Sequence, residues 1–275
     1  GQACGASVSG INLAIPLSEH TVTELRQAWL EHQVLAFPAQ SISTADLERF
    51  TRYFGPFGHD PFIEPIPGHP HVLAVERAAD ERGPVFAGNV FHTDWSFQET
   101  PPAGTCLYSI TIPPVGGDTL FANQHMALES MPATLRRRIE GKVALHSAVH
   151  GYSKEGVYGE NDAARSMSMK FNPGDEAKRV QAHPLIRQHP ETGKPAIYGC
   201  FGYIIGIEGM AEPDAMELLG ELHAWQTREE FQYRHKWSAN MLVMWDNRSL
   251  LHAAEGGYDG HARLLHRTTI AERPS

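Results

Sequence analysis

A chain of 275 residues with 41% hydrophobic and 20% charged side chains has the composition of a folded globular protein and not of a disordered one. The formal net charge of −9 lacks the basic excess of a nucleic-acid-binding protein, and the one basic cluster, three arginines at 136–138, is interpreted as a solvated helix face. No apolar run reaches the ~18 residues that a membrane-spanning helix needs. We therefore expect a small-molecule partner, with no nucleic acid and no membrane, and leave a homodimer or homotetramer open.

The cysteines point to a reducing compartment. Cys4, Cys106 and Cys200 are odd in number and far apart, and no CxxC pair occurs, so neither a disulfide framework nor a cysteine-based zinc site is expected. Residues 1–10 lack the basic and apolar stretches of an export signal. The sequence thus predicts a cytoplasmic protein.

Two helices and a strand are predicted in the first sixty residues. Thr21 and Glu24 have the spacing of a capping box, and apolar residues follow at helical intervals. Val34–Phe37 is predicted as a short strand. Ser43 is predicted to cap a second helix that ends at Gly55.

Short strands dominate the rest of the chain. They are predicted at 71–78, 105–112, 143–149, 231–237, 241–245, Leu250–Ala254 and Arg263–Ile270. Helices are predicted at 126–139 and 212–225, and the polar segment 150–182 is predicted as a long functional loop. This mixture favours a mainly β protein with helical inserts (α+β), a barrel or jelly roll, over a doubly wound sheet. No linker divides the chain, so 1–275 is predicted to be a single domain, and no GxGxxG or P-loop supports nucleotide binding.

A metal site is indicated by three residues. His92 and Asp94 stand two apart, and on an extended segment such residues point to the same side. His252, within the predicted strand Leu250–Ala254, is the best candidate for a third ligand. Two histidines and a carboxylate form the facial triad of non-haem Fe(II) oxygenases. Zinc accepts the same ligands, so a zinc-dependent hydrolase or lyase and a non-catalytic jelly-roll binding protein are kept as alternatives.

Two arginines that could bind an anionic ligand follow the predicted metal ligand His252 in the sequence. Arg263 and Arg267 share one face of the closing strand with Leu265. A guanidinium binds carboxylate through a fixed fork, as a metal-chelating dicarboxylate would need at its far end. Thr119 can add a hydroxyl donor. A surface salt bridge is the alternative for either arginine.

Several segments form a combined pattern: HTDWSF at 92–97, PPAG at 101–104, GGDT at 116–119, WDNR at 245–248, His252, Arg263 and HRTTI at 266–270. Together they resemble the taurine dioxygenase (TauD/TfdA) family of Fe(II)/2-oxoglutarate-dependent dioxygenases. The resemblance implies a double-stranded β-helix, the clavaminate synthase-like jelly roll. It implies iron on His92, Asp94 and His252, 2-oxoglutarate on Arg263 and Thr119, and an anionic substrate group on Arg267. The competing interpretation of Arg267 is that it supports the 2-oxoglutarate carboxylate at the metal or pairs with a core acid.

The resemblance also implies the reaction. O2 and 2-oxoglutarate would be consumed, succinate and CO2 released, and an unactivated C–H bond of a small organic acid (a carboxylate, sulfonate or sulfate ester) hydroxylated. Halogenases of this architecture lack the metal-binding carboxylate, so the presence of Asp94 predicts that this protein is not a halogenase.

Taurine itself is expected to be a poor substrate. Where the taurine enzyme has a His and a Tyr, this chain has Asp60 and Ile63, and Trp95 replaces a small residue after the metal-binding Asp. A more aromatic pocket and a larger organic anion are therefore predicted. In addition to Arg267, the candidate substrate contacts are Asn89, Trp95, Asp60, Tyr152 and Tyr203.

Overall fold

The computed structural model describes residues 3–82 and 85–272. Its strands are β1 (Ala6–Ser7), β2 (Val34–Phe37), β3 (Leu73–Arg77), β4 (Gly104–Thr111), β5 (Thr119–Asn123), β6 (Val143–Ser147), β7 (Val180–Pro184), β8 (Ile186–Gln188), β9 (Pro195–Ile197), β10 (Ile204–Ile207), β11 (Gln232–His235), β12 (Leu242–Asp246), β13 (Leu250–Ala254) and β14 (Arg263–Ile270). Its α-helices are α1 (Glu19–His32), α2 (Thr44–Phe54), α3 (Gln124–Glu129), α4 (Ala133–Ile139), α5 (Val149–Tyr152), α6 (Asp162–Arg165) and α7 (Glu212–Gln226). No helix among these residues is long and apolar enough to cross a membrane.

Two sheets carry the core. The larger sheet has the order β1-β2-β12-β4-β14-β3, and its strands are antiparallel except for the β1–β2 pair. The smaller sheet, β11-β5-β13, is antiparallel throughout. Buried side chains from both sheets belong to one cluster, including Val243, Trp245 and Leu265 from the larger sheet and Phe121 and Leu250 from the smaller. The sheets therefore face each other across an apolar core.

Helices α1 and α2 cover the outer face of the larger sheet. Trp29, Phe50 and Phe54 pack with Leu35 and Met244 from the sheet in a second buried cluster. The rings of Trp29 and Phe54 meet edge to face, with centroids 5.8 Å apart. This layer supports the strands whose opposite faces point into the core.

A third cluster lies around α3, α4 and α7. These helices pack on the small sheet β10-β6-β7 through residues such as Leu128, Ile139, Ala144 and Leu218. The arginines at 136–138 lie in the last turn of α4, with their neighbours Leu135 and Ile139 buried, as the solvated helix face requires.

Most sequence-predicted elements are confirmed, with two corrections. The first helix begins at Glu19, two residues before the predicted box, and its N-cap is Ser18, whose hydroxyl accepts the backbone N–H of Thr21. The helix predicted at 126–139 is two helices, α3 and α4, on either side of Pro132, which cannot donate a helical hydrogen bond. The strands Val34–Phe37, Leu250–Ala254 and Arg263–Ile270 have the predicted bounds.

The segment predicted as a long loop, 150–182, is more ordered than expected. It contains part of α5, helix α6, a short 3-10 helix at Asp175–Lys178 and the start of β7. Its Tyr152 and Met169 pack with Phe62, Trp95 and Phe97 in a largely aromatic cluster. The segment thereby forms a wall beside the predicted metal ligands.

The N-terminal cap of α2 provides a test of how this helix is stabilised. The Ser43 hydroxyl accepts the Asp46 backbone N–H, and the Asp46 carboxylate accepts the Ser43 backbone N–H at 2.9 Å, which completes a capping box. We expect Ser43→Ala to lower the free energy of unfolding by about 1 kcal/mol because the Asp46 backbone N–H loses its acceptor. Urea denaturation measures this, with the exposed Ser41 changed to Ala as the control; equal stability of the two variants would contradict the role of the cap.

Candidate active site

A cavity of about 300 Å³ lies at the mouth of the two facing sheets. Its walls come from β3, β4, β5, β13 and β14 and from the segments around residues 85–95, 150–158 and 202–203. Val75, Phe86, Leu107 and Tyr158 give much of the wall an apolar character. The predicted metal ligands and both predicted arginines also line it, so the charged groups converge on one chamber.

Backbone pairing brings the two histidines together. His92 donates its backbone N–H to the His252 carbonyl at 2.9 Å, and His252 donates to the His92 carbonyl at 2.7 Å. Residues directly opposite in an antiparallel pair present their side chains on the same face. The two imidazole rings accordingly lie 4.2 Å apart, centroid to centroid.

The third residue, Asp94, completes a group that could hold a metal ion. Ligand atoms of His92, Asp94 and His252 all lie within 4.8 Å of one another. Asp94 Oδ1 lies 3.9 Å from His92 Nε2 and 3.7 Å from His252 Nε2. His92 Nδ1 lies 2.9 Å from the Val90 carbonyl oxygen, which can only accept, so Nδ1 carries the proton and Nε2 keeps its lone pair for a metal.

The protonation states suit metal binding. Burial lowers the pKa of His252 to about 3, and the nearby His92 and Arg267 act in the same direction while Asp94 opposes them. Burial also lowers the pKa of His92. For Asp94, burial would raise the pKa, but Arg267, His252 and His92 together hold it well below its usual range. The group therefore presents two neutral imidazoles and one carboxylate, the forms that bind metal.

Arg263 is buried without an acidic partner. Its side chain is 5% exposed, its Nη2 donates to the Gly117 carbonyl at 3.3 Å, and its Nε has no hydrogen-bond partner. No carboxylate in the described ranges 3–82 and 85–272 pairs with it. Burial lowers the pKa of this guanidinium, and Tyr258 opposes that effect. A buried cation in this state needs an anion from outside the chain.

The GGDT turn places Thr119 in the wall of the same cavity as Arg263, whose guanidinium donates to the Gly117 carbonyl of that turn. Gly116 has φ +69°, and a Cβ there would lie 2.6 Å from the Gly256 carbonyl oxygen, so only glycine fits this close approach. Thr119 is 4% exposed, and its hydroxyl accepts the Trp237 indole N–H at 3.0 Å. The hydroxyl proton of Thr119 stays available for a ligand.

Arg267, four residues after Arg263 on the same face of β14, has two acidic neighbours. Its Nη1 lies 3.0 Å from Asp60 Oδ1, and its Nη2 lies 3.1 Å from Asp94 Oδ2. The second contact is an ion pair without hydrogen-bond geometry, so Nη2 is buried with no hydrogen-bond acceptor. The guanidinium also lies over the Trp95 ring, 5.1 Å from its centroid.

Asp60 has a different place from the one that the sequence suggested. Its carboxylate accepts hydrogen bonds from Arg267, from the Trp95 indole N–H and from the Thr269 hydroxyl, the last at 2.9 Å. Asp60 is not among the cavity-lining residues, so it acts as the counter-ion of Arg267 and does not oppose the substrate directly. The competing interpretation of Arg267, a pair with a core acid, thus describes its resting contacts.

Three of the other four predicted substrate contacts line the cavity, and one does not. Trp95, Tyr152 and Tyr203 line the cavity, whereas Asn89 is exposed, lies outside the lining and donates its backbone N–H to the Ala254 carbonyl at 2.8 Å. Sequence reasoning missed Phe86, which sits in a polar segment without periodicity. It also missed Thr105, whose hydroxyl donates to Asp94 Oδ2 at 2.6 Å.

Two antiparallel sheets around a buried group of two histidines and a carboxylate define the class: a jelly-roll protein with the donor set of a mononuclear non-haem metal enzyme. A family model described as "Taurine catabolism dioxygenase TauD, TfdA family" matches residues 1–269. The chain belongs to this family, as its motifs predicted, and is an oxidoreductase: an Fe(II)/2-oxoglutarate-dependent dioxygenase that uses O2.

Relatives and solved structures agree with this family. An alkylsulfatase from Acinetobacter baylyi is 31% identical over 269 residues, which cover 97% of this chain and 82% of that protein. A (S)-phenoxypropionate/alpha-ketoglutarate-dioxygenase from Delftia acidovorans is 30% identical over 292 residues, covering 100% of this chain and 94% of that protein. The crystal structure of a taurine dioxygenase from Burkholderia xenovorans superposes with a TM-score of 0.79 at 29% identity, covering 98% of this chain and 88% of that one. The predicted jelly roll is confirmed, and neither the zinc hydrolase nor the non-catalytic alternative gains support.

Proposed function

We propose that His92, Asp94 and His252 are the iron ligands. The supporting observation is the convergence of two Nε2 atoms and Oδ1 within 4.8 Å in a buried pocket. Imidazole and carboxylate are donors that Fe(II) accepts in this number. When bound, the iron, with 2-oxoglutarate and O2, supplies the oxidising power to hydroxylate an unactivated C–H bond. The chain's own residues hold the reactants in place and exclude water.

We infer that Arg263 and Thr119 bind the distal carboxylate of 2-oxoglutarate. The argument rests on charge: Arg263 is buried with no acidic partner, and an unpaired buried charge is costly. A carboxylate seated there would accept hydrogen bonds from the guanidinium and from the Thr119 hydroxyl. The dianion would then span the distance between Arg263 and the metal group in the same cavity.

We infer that the prime substrate is an organic anion with an apolar or aromatic body. Arg267 Nη2 has no hydrogen-bond acceptor and lies beside the metal group, so it can receive a carboxylate, sulfonate or sulfate. Val75, Phe86, Tyr152 and Tyr158 provide apolar walls for the body of such a molecule. The alkylsulfatase and the phenoxypropionate dioxygenase among the relatives are named for substrates of this kind.

The poor fit of taurine also stays a prediction, with its physical reason revised. Asp60 partly neutralises Arg267, which weakens its attraction for a sulfonate, and a molecule as small and polar as taurine has little apolar surface to place against Val75 and Phe86. A cytoplasmic location and the absence of nucleic-acid or membrane partners are likewise proposals, supported by three buried free cysteines and a net charge of −9.

The ligand assignment predicts the behaviour of His252→Ala. We expect this change to abolish succinate formation and the visible absorption band of Fe(II) with 2-oxoglutarate under anaerobic conditions, because a ligand is removed. Thermal unfolding should remain cooperative. His20→Ala, at an exposed position on α1, is the control and should behave as the unmodified protein. Normal succinate production by His252→Ala would falsify the assignment.

The Arg263 assignment predicts a change in 2-oxoglutarate affinity. Loss of a charge-assisted contact of about 1.5–3 kcal/mol should weaken the apparent affinity of Arg263→Ala roughly 10- to 150-fold. Arg263→Lys should recover only part of this, since an ammonium cannot form the fork. Titration calorimetry on the anaerobic enzyme measures it, and Arg138→Ala, which removes a surface ion pair, is the matched control. An unchanged affinity in Arg263→Ala would exclude the role.

The Arg267 assignment predicts a selective loss for the prime substrate. The double variant Arg267→Ala/Asp60→Asn avoids leaving the buried Asp60 carboxylate without its counter-ion, while Asp94 keeps the Thr105 hydroxyl as a donor. We expect it to raise KM for an alkyl sulfate or phenoxyalkanoate about 10- to 150-fold while the 2-oxoglutarate KM changes little. Asp60→Asn alone should tighten the binding of these anions because it removes the competing charge. A loss confined to 2-oxoglutarate would show that Arg267 serves the cosubstrate instead.

A further inference from the structure

The two oxygens of the Asp94 carboxylate have different surroundings. Oδ1 faces the Nε2 atoms of His92 and His252, at 3.9 Å and 3.7 Å. Oδ2 accepts the Thr105 hydroxyl at 2.6 Å and lies 3.1 Å from Arg267 Nη2. One oxygen is thus directed at the metal group, and the other is held by the hydrogen bond from Thr105 and by the charge of Arg267.

The hydrogen bonds behind Thr105 run in one direction. The Trp245 indole N–H, which can only donate, binds Asn247 Oδ1 at 2.9 Å. This contact identifies the oxygen and the nitrogen of the Asn247 side-chain amide. The Asn247 NH2 group then donates to Thr105 Oγ1 at 2.9 Å. With that lone pair occupied, the Thr105 hydroxyl proton points to Asp94. Trp245, Asn247 and Thr105 are all at most 2% exposed, so water does not compete with this relay.

Asn247 is itself held in place by its backbone. Its N–H donates to the Ala103 carbonyl at 2.9 Å, and its carbonyl accepts the hydroxyl of Thr93 at 2.7 Å. Thr93 lies between the two ligands of the HxD pair, and Asn247 lies in the turn between β12 and β13, the strand that carries His252. One asparagine therefore connects the two chain segments that contribute the metal group.

We propose that Asn247 is a positioning residue for the metal site. Through Thr105 it holds Asp94 Oδ2, so that the carboxylate presents Oδ1 alone to the iron and leaves room for 2-oxoglutarate and O2. This inference rests on the proposed ligand assignment. Without the relay, Oδ2 would be released from its strongest donor and could turn toward the metal, occupying a position that the cosubstrate needs.

The experiment compares Thr105→Val, which keeps the shape and removes the hydroxyl, with Thr105→Ser, which keeps the hydroxyl, and with Asn247→Ala. Co(II) and Fe(II) affinities are measured by titration without turnover, together with the absorption band formed with 2-oxoglutarate. We expect about a 10- to 100-fold loss of metal affinity and an altered band in Thr105→Val and Asn247→Ala, and recovery of both in Thr105→Ser.

A matched control separates positioning from stability. Thr51→Val removes another fully buried hydroxyl, which lies on α2, donates to the Leu47 carbonyl at 2.9 Å and lies 2.7 Å from the Thr268 hydroxyl; neither Thr51 nor Thr268 lines the cavity. It should lower the Tm without changing metal affinity or the band. Normal affinity and band in Thr105→Val, or an equal loss in Thr51→Val, would overturn the proposal. Failure of the ligand assignment itself would appear separately, as undiminished metal binding by His252→Ala.

Discussion

The pair of backbone hydrogen bonds between His92 and His252 is the contact on which the active site depends. It docks an irregular segment against the edge of the smaller sheet, where Gly88 also bridges Ala254. Because side chains alternate along an extended chain, a slip of one residue would turn His92 away from the cavity and bring a neighbour in its place. The register of this short pairing therefore sets the geometry of the whole donor group, including Asp94 two residues on.

Charge is distributed unequally along β14. Arg263 and Arg267 are both buried on the same face of the strand, yet Arg267 has two carboxylates beside it and Arg263 has none in the part of the chain described. Arg267 accordingly has counter-ions within the chain itself, whereas Arg263 gains an anionic partner only from a ligand. The strand thus carries one arginine that is already balanced and one that favours cosubstrate binding.

In the WDNR segment, Asp246 and Arg248 stabilise the fold, whereas Asn247 supports the metal group. Asp246 and Arg248 form a buried ion pair with an Nη2–Oδ2 distance of 2.6 Å, and His189 and Glu191 from the β8–β9 turn join it. Such a network is costly to assemble but rigid once all its groups are paired. It fixes the turn between β12 and β13 and leaves Asn247 free to face Thr105. This buried network therefore supports the residue that, through Thr105, contacts Asp94.

The amino-acid sequence was sufficient to predict the short apolar strands Val34–Phe37 and Leu250–Ala254, the Ser43 cap, the His92–Asp94–His252 group and the cavity position of Arg263. These features depend on local periodicity or on residue types with few other uses. The counter-ion role of Asp60, the contribution of Phe86 to the wall and the relay from Asn247 to Asp94 could not be predicted. Asn247 and Thr105 are 142 residues apart, and Asp60 and Arg267 are 207 apart. No local pattern encodes such contacts, since they exist only when β4, β12 and β14 are aligned in one sheet.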